Sequence, residues 1–298
     1  MAPPAPSSAP GRALSAGYLG PEGTFSEEAL LGSVLPGAVT PVALETIRDA
    51  VMAVQERVVE WSLVPIENSI EGSVTVTLDT LAGDASEVAI VGEVVLPVRH
   101  YLIAAEPLEL AQIETVVSHP HVPGQCTRFL HGQLARASVV AASSTAEAVR
   151  LVSERKDGSF AAIGTRLASE LYECAVIAEG IQDREDNETR FVWLTRADFG
   201  SGPPPLHTQP SNGSKTSLVF WGAGADHAGW LVLCLNQFAR RKINLTKIES
   251  RPMREQLGLY MFFVDLEGSL EDEVVAQAIA GLRAECEQVR VLGSYPAA

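Results

Sequence analysis

Near the middle of the chain stands "REDNETRFVWL", Arg184 to Leu194. A hydroxyl, Thr189, and a guanidinium, Arg190, open an apolar run that reads as a buried strand. Arg190 could fork onto a carboxylate through two parallel hydrogen bonds. It could also pair on the surface with Glu185, Asp186 or Glu188, but the buried look of "FVWL" favours a sheet edge. Thr189 is far too weak an acid for a demanding proton transfer, so it can act only as a hydrogen-bond donor or proton relay. That suffices for a reaction with a large intrinsic driving force. Four more clusters put hydroxyls or amides at strand-to-helix junctions: Gly23-Thr24-Phe25-Ser26, Asn68-Ser69, Ser118 with Gln125, and Ser144-Thr145. Each alone is an ordinary helix cap. Brought together, their backbone N–H groups and positive helix ends make a pocket suited to carboxylates.

Other residues carry weaker chemistry. Gly17, Gly20 and Gly23 in "GYLGPEGTFS" match neither a dinucleotide fingerprint nor a phosphate-binding loop with its lysine. His119, His121 and Cys126 lack a fourth ligand at sensible spacing, so no metal is expected. Glu67 in "PIENS" could serve as a general base, although an acid on a loop is more often a solvated cap. Cys126, Cys174, Cys234 and Cys286 form no C-x-x-C pair and read as reduced core thiols.

The elements that must position these groups follow from periodicity. The first region repeats one event: a short β-rich run ends, small or hydroxyl residues follow, and a helical pattern begins. "AGYLG" leads into "PEGTFSEEALL", "WSLVPIENS" into "IEGSVTVTLDTLAG", "ETVVSHP" into "HVPGQCTRFLHGQL", "SVVAASS" into "TAEAVRLVSER", and "SFAAIGT" into "RLASELYE". Thr24 with Glu27, and Ser144 with Glu147, have capping-box spacing. Such alternation predicts an α/β domain with parallel sheets and ligands at the carboxyl ends of strands. "FGSGPPPLHTQPSNGSK" then breaks both periodicities and reads as a linker over 199–214. Beyond it the order is β-α-β-β-α-β. Leu231, Cys234, Leu235 and Phe238 mark one helix face, and Val275, Ala278, Ile279, Leu282 and Cys286 mark another. That order fits a ferredoxin-like fold.

The totals narrow the function classes. The 298 residues suit about two domains. A net charge of −15 disfavours nucleic acid, and no apolar stretch is long enough to span a bilayer. The start, "MAPPAPSSAPGRA", lacks the regions of a secretory signal and reads as a disordered tail over 1–14. A cytoplasmic protein is expected.

Read in order, "YLGPEGTFSEEA", "VPIENSIEGSV", "SHP…QC", "AIGTRLASELY", "IQD…N.TRF" and "NLTKIESRP" resemble prephenate dehydratase from Gly17 to Tyr295. The resemblance implies a two-lobed catalytic domain like periplasmic binding proteins over 15–198. Its lobes would span about 15–96 with 183–198, and 97–182. An ACT regulatory domain over 215–298 would bind L-phenylalanine between subunits of a homodimer or homotetramer. It implies that prephenate loses its ring carboxylate as CO2 and its ring hydroxyl as water, giving phenylpyruvate in phenylalanine biosynthesis, without a cofactor. It assigns catalysis to Thr189, Arg190 and Phe191, and substrate binding to Thr24, Asn68, Ser69, Ser118, Gln125, Ser144 and Thr145. Effector binding falls to Gly229, Trp230, Leu231, Glu249, Ser250, Arg251 and Pro252. No chorismate mutase segment is expected ahead of Gly17.

The sequence departs from the family twice. His121-Val122-Pro123 follows "SHP" where a glutamine is usual, which predicts an altered helix entry. "AGWL", Ala228 to Leu231, replaces the usual Pro-Gly-Ala-Leu. Trp230 then either packs outward against a partner subunit or partly fills the effector pocket and weakens feedback. The rival functions are a prephenate decarboxylase with a non-aromatic product, a non-catalytic amino-acid sensor, and action on arogenate. The intact "TRF" favours the dehydratase.

Overall fold

The computed structural model describes residues 14–155, 158–199, 202–207, 213–222, 227–254 and 257–298. Most of the expected N-terminal tail and part of the expected linker therefore lie outside the described residues. Three sheets organise the chain. The first lobe runs β1 (Ser15–Leu19), α1 (Phe25–Ser33), β2 (Thr40–Leu44), α2 (Ile47–Gln55), β3 (Trp61–Asn68), β4 (Gly72–Ser73), α3 (Thr75–Ala82) and β5 (Val88–Pro97). The second runs β6 (Tyr101–Ala104), β7 (Thr115–Ser118), α4 (Thr127–Gln133), β8 (Ser138–Ala141), α5 (Thr145–Ser153), β9 (Phe160–Gly164), α6 (Arg166–Leu171) and β10 (Ala175–Glu179). The chain then returns to the first lobe as β11 (Glu188–Arg196).

The first sheet has the order β2-β1-β3-β11-β5, with β4 paired to β3; the second has β10-β6-β9-β7-β8. Both are mixed rather than parallel. β1 runs parallel to β2 and β3, but β11 lies antiparallel between β3 and β5. The reason is topological. β11 enters from the far lobe, so its direction is set by where β10 ends and not by a local crossover. Its central place explains the unbroken apolar run. Phe191 and Trp193 pack in the core beside α1, while Val192 and Leu194 face the opposite core.

The expected helix caps form in part. The Ser144 hydroxyl accepts the Glu147 N–H at 3.0 Å, but the Glu147 carboxylate pairs with Arg150 instead of reaching back. At α1 the Thr24 hydroxyl donates to the Leu19 carbonyl at 2.9 Å, and the Glu27 carboxylate takes the Gly23 N–H. Thr24 is thus freed from capping by a bond that draws the helix start onto the end of β1.

The C-terminal region comprises β12 (Ser214–Trp221), α7 (Trp230–Ala239), β13 (Leu245–Pro252), β14 (Tyr260–Glu267), α8 (Glu273–Glu285) and β15 (Gln288–Pro296). Its antiparallel sheet has the ferredoxin-like order β13-β14-β12-β15. Both helices cover one face. The other face lies on the first lobe, where Val219, Phe263, Leu292 and Tyr295 join one core with residues of α2, α3, β3 and β11. The seam is pinned by polar contacts. Arg251 forks onto Asp79 at 3.1 and 2.9 Å, and Arg290 caps the end of α3 with a bond of 2.6 Å to the Ala85 carbonyl. The described part of the linker, 202–207, runs along the first lobe, with Pro205 accepting the Leu35 N–H at 3.0 Å. All four cysteines are free thiols, and the fold brings Cys234 and Cys286 to 3.6 Å although they are far apart in sequence.

Candidate active site

A cavity of about 480 Å³ opens between the lobes. The first lobe contributes the tip of β1, the start of α1, and the ends of β3 and β11. The second contributes His100 and His119, the 3₁₀ turn at Gln125, and the start of α5. Strand register places the central pair. Thr189 of β11 lies opposite Asn68 of β3, and Arg190 lies opposite Glu67. Because strand side chains alternate, the first pair faces the cleft and the second faces away from it.

The cleft pair is held by a continuous chain of amides. The Asn68 carbonyl oxygen accepts the N–H groups of Ile70 and Glu71, each at 2.9 Å, so its amino group must point the other way. That group's two hydrogens are shared among Thr189 Oγ1 and Asn187 Oδ1, each at 2.9 Å, and the Glu188 carbonyl at 3.1 Å. Asn187 donates to Gln125 Oε1 at 3.1 Å, which also meets His100 Nε2 at 3.1 Å. Thr189 Oγ1 therefore receives a hydrogen bond, and its own proton has no acceptor among the described residues. A hydroxyl so placed is a donor toward whatever occupies the cleft.

Electrostatically the site is unusual for so acidic a protein. No lysine or arginine is among the described residues lining the cavity, and Glu45 is the one carboxylate. Burial pushes the His100 imidazole below its ordinary pKa despite the Gln125 bond, and burial does the same at His119 with help from His121. Positive potential comes instead from helix starts. The first turn of α5, at Ser144 and Thr145, opens onto the cavity, as does that of α1 at Thr24 and Phe25.

Of the residues assigned from sequence to catalysis or substrate binding, Thr24, Asn68, Gln125, Ser144, Thr145 and Thr189 line this cavity, and Arg190, Phe191, Ser69 and Ser118 are not in its lining. Arg190 is a correction to the carboxylate-clamp reading: its guanidinium meets Glu67 at 3.0 Å, Glu93 at 3.1 Å and Asp265 at 2.6 Å on the far side of the sheet. Burial alone would lower its pKa, but Asp265, Tyr295, Glu93 and Glu67 more than offset that and hold the charge. Glu67 is thereby an ion-pair partner, shared with Lys247 at 3.2 Å, and no cleft base. Phe191 is core. Ser69 ties down the loop before β11, its hydroxyl accepting the Glu188 N–H at 3.0 Å and donating to the Asp186 carbonyl at 3.2 Å. Ser118 is buried at the end of β7, and its hydroxyl has no hydrogen-bond partner among the described residues. His119 and His121 stack edge-on at 5.2 Å. Among the described residues no group of three or more His, Cys, Asp or Glu is arranged to hold a metal ion.

In the C-terminal region Gly229 caps α7 at φ 90°, and Leu231 packs partly against the core. Trp230 does not face outward. It is buried in its own region's core, donating from Nε1 to the Glu285 carbonyl at 2.7 Å. Along β13, Glu249 and Arg251 turn to the first lobe, meeting Ser73 at 3.0 Å and Asp79 at 2.9 Å, while Ser250 and Pro252 are exposed. Two cleft residues of the amide chain carry no site role in the sequence reading, although Asn187 stands in the quoted "N.TRF". Asn187 precedes Thr189 by two, the spacing that puts residues on one strand face; His100 interrupts the apolar stretch "VVLPVRHYLIAA".

Residues 16–198 match the family model described as prephenate dehydratase. A prephenate dehydratase of Mycobacteroides abscessus is 41% identical over 287 residues, spanning 94% of this chain and 89% of that protein. One from Amycolatopsis methanolica is 38% identical over 279 residues, spanning 93% and 87%. The solved structure of prephenate dehydratase from Arthrobacter aurescens in complex with L-Phe is 35% identical, with a TM-score of 0.82 over 95% of this chain and 90% of that one. Two α/β lobes around a hydroxyl- and amide-lined cleft, backed by a ferredoxin-like region, together with these likenesses define a two-lobed α/β lyase with an appended ferredoxin-like region. The chain belongs to the prephenate dehydratase family, and it converts prephenate to phenylpyruvate, CO2 and water.

Proposed function

We propose that Thr189 is the donor that assists loss of the ring hydroxyl, within a catalytic unit of residues 15–198. As the ring carboxylate leaves as CO2, the electrons of the broken C–C bond enter the ring, which becomes aromatic. The C–O bond breaks, and the departing hydroxide takes a proton to become water. Thr189 Oγ1 offers that hydrogen bond and is resupplied from solvent. The observation that carries this reading is the 2.9 Å bond from Asn68 to Thr189 Oγ1, which supports a threonine whose own proton is available to a substrate in the cleft. The starts of α5 and α1 hold the two carboxylates in place of side-chain cations. Arg190 acts on the opposite face, fixing β11.

Positioned acid help contributes on the order of 10² to 10⁴ in rate. Thr189→Val should lower kcat by about that factor with the far-ultraviolet circular dichroism unchanged, the product being followed as phenylpyruvate. A variant with near-normal turnover would remove the assignment, and a non-aromatic product from the parent chain would favour the decarboxylase.

Residues 215–298 are proposed as an ACT regulatory domain that binds L-phenylalanine between subunits of a homodimer or homotetramer. The relative solved with L-Phe supports this, as do the exposed Val232, Leu233 and Ile248 on α7 and β13. Since Trp230 lies inside the core, it leaves the exposed face of β13 open, and added L-phenylalanine should inhibit the initial rate. Rates unchanged up to millimolar effector would refute this.

A further inference from the structure

The amide chain behind Thr189 ends on a residue that the reaction does not touch. His100 sits between β5 and β6 with about 1% of its surface exposed. Its backbone is fixed at both ends: the N–H donates to Gln182 Oε1 at 3.0 Å, and the carbonyl accepts the Ile181 N–H at 3.1 Å. Phe25, at the start of α1 in the opposite lobe, packs edge-on against the ring at 5.5 Å. Of the two ring nitrogens, Nε2 meets Gln125 Oε1 at 3.1 Å, and Nδ1 is buried without a partner among the described residues.

The direction of every bond in the chain can be worked out from one end. Ile70 and Glu71 fix the Asn68 amide, so Asn68 donates to Asn187, and Asn187 must donate onward to Gln125 Oε1. Gln125 Nε2 donates to Glu71 Oε1 at 3.3 Å, a long bond to an exposed carboxylate. An oxygen that already accepts from Asn187 can meet a second nitrogen favourably only if that nitrogen also carries hydrogen. His100 must then be the Nε2–H tautomer. A proton on Nδ1 would be buried with no acceptor, which keeps the ring neutral. Were Gln125 to flip, its amino group would face the amino group of Asn187, and the chain could be satisfied only by reversing each amide in turn.

We infer that His100 is a positioning residue for this reaction: its neutral Nε2–H locks Gln125, and through Asn187 and Asn68 it keeps the Thr189 proton free for the substrate. The chain crosses the cleft, since His100 and Gln125 belong to the second lobe and Asn68 and Thr189 to the first. The same bonds that orient the hydroxyl therefore also set the spacing of the two walls. This inference rests on Thr189 being the donor.

Two substitutions and one spectrum test it on the full chain. His100→Phe keeps the ring and removes the donor; His100→Gln keeps an N–H at comparable reach. His100→Phe should lower kcat about tenfold to a hundredfold while KM changes by less than about threefold, and His100→Gln should recover most of the loss. In unsubstituted protein carrying ¹⁵N-histidine, the His100 signals should show a neutral ring protonated on Nε2 at pH 7. A His100→Phe enzyme with normal kcat, a His100→Gln enzyme no better than His100→Phe, or a proton on Nδ1 would each overturn the inference. If His100→Phe does not fold, the spectrum and His100→Gln decide. Thr189→Val is the control that separates failures: if it is near-normal, the donor assignment falls; if it is slow while His100→Phe is normal, only the role of His100 falls.

Discussion

Residues 189 and 190 are neighbours in the chain and opposites in the fold. Among the described residues the hydroxyl has no acceptor and its cleft no lysine or arginine, whereas the guanidinium meets three carboxylates behind the sheet. Residue types alone made Thr189 and Asn68 legible, because a hydroxyl and an amide at strand ends announce polar work at a buried place. Which way Arg190 points was not legible. It depends on strand register and on the bulge that follows it, and its acidic partners come from residues far along the sequence. His100 was hidden for a different reason: a lone histidine in an apolar stretch looks the same whether it fills a core or anchors a network. Its burial has a consequence for stability. The imidazole pKa is lowered on folding by burial, so below the unfolded value of about 6.5 the unfolded chain binds more protons than the folded one. The stabilisation is complete above that pH and is lost as pH falls toward the folded pKa. Urea midpoints should thus drop from pH 7.5 to pH 5.5, and drop less in His100→Phe. Equal drops in the two proteins would show that His100 plays no part.

At the scale of elements, the alternation of β and α segments made the class of the fold readable, and the helix faces of α7 and α8 could be read residue by residue. The direction of β11 could not. Parallel pairing follows from a local β-α-β crossover, whereas β11 comes back from the second lobe and its antiparallel placement is a long-range outcome. The contact between lobes at α1 was equally invisible. Gly23 has φ +83°, and a Cβ there would lie 3.1 Å from Ala168 of α6 and 3.4 Å from Ala146 of α5. Its carbonyl accepts the Thr165 hydroxyl, the cap of α6, at 2.6 Å. Gly23→Ala combines a disfavoured backbone with crowding and should cost about 1 to 3 kcal/mol. Because it displaces the start of α1 at the cleft mouth, KM for prephenate should rise more than kcat falls. Scanning calorimetry and steady-state rates check this; an unchanged Tm with an unchanged KM would show that the approach is slack.

For the molecule as a whole, composition pointed to two units and a proline-rich stretch pointed to where they part, but how closely they are joined has no signature in sequence. Cores shared across a chain are built from residues that look like ordinary core in each half. Here Val219, Phe263, Leu292 and Tyr295 from the C-terminal region complete the packing around Val192 and Leu194. Lys215 from that region joins Arg190 in neutralising a cluster of Glu67, Glu93 and Asp265, the last also from the C-terminal region. The acidic chain, net −15, has a cleft with no lysine or arginine among its described lining residues, so on the proposed reading the guest's two charges would be met by oriented backbone and not by opposing ions. One strand, β11, thus has its upper side in the cleft and its underside on the core shared with the C-terminal region. Any tilt of that region would reach the threonine's footing across a single strand's thickness.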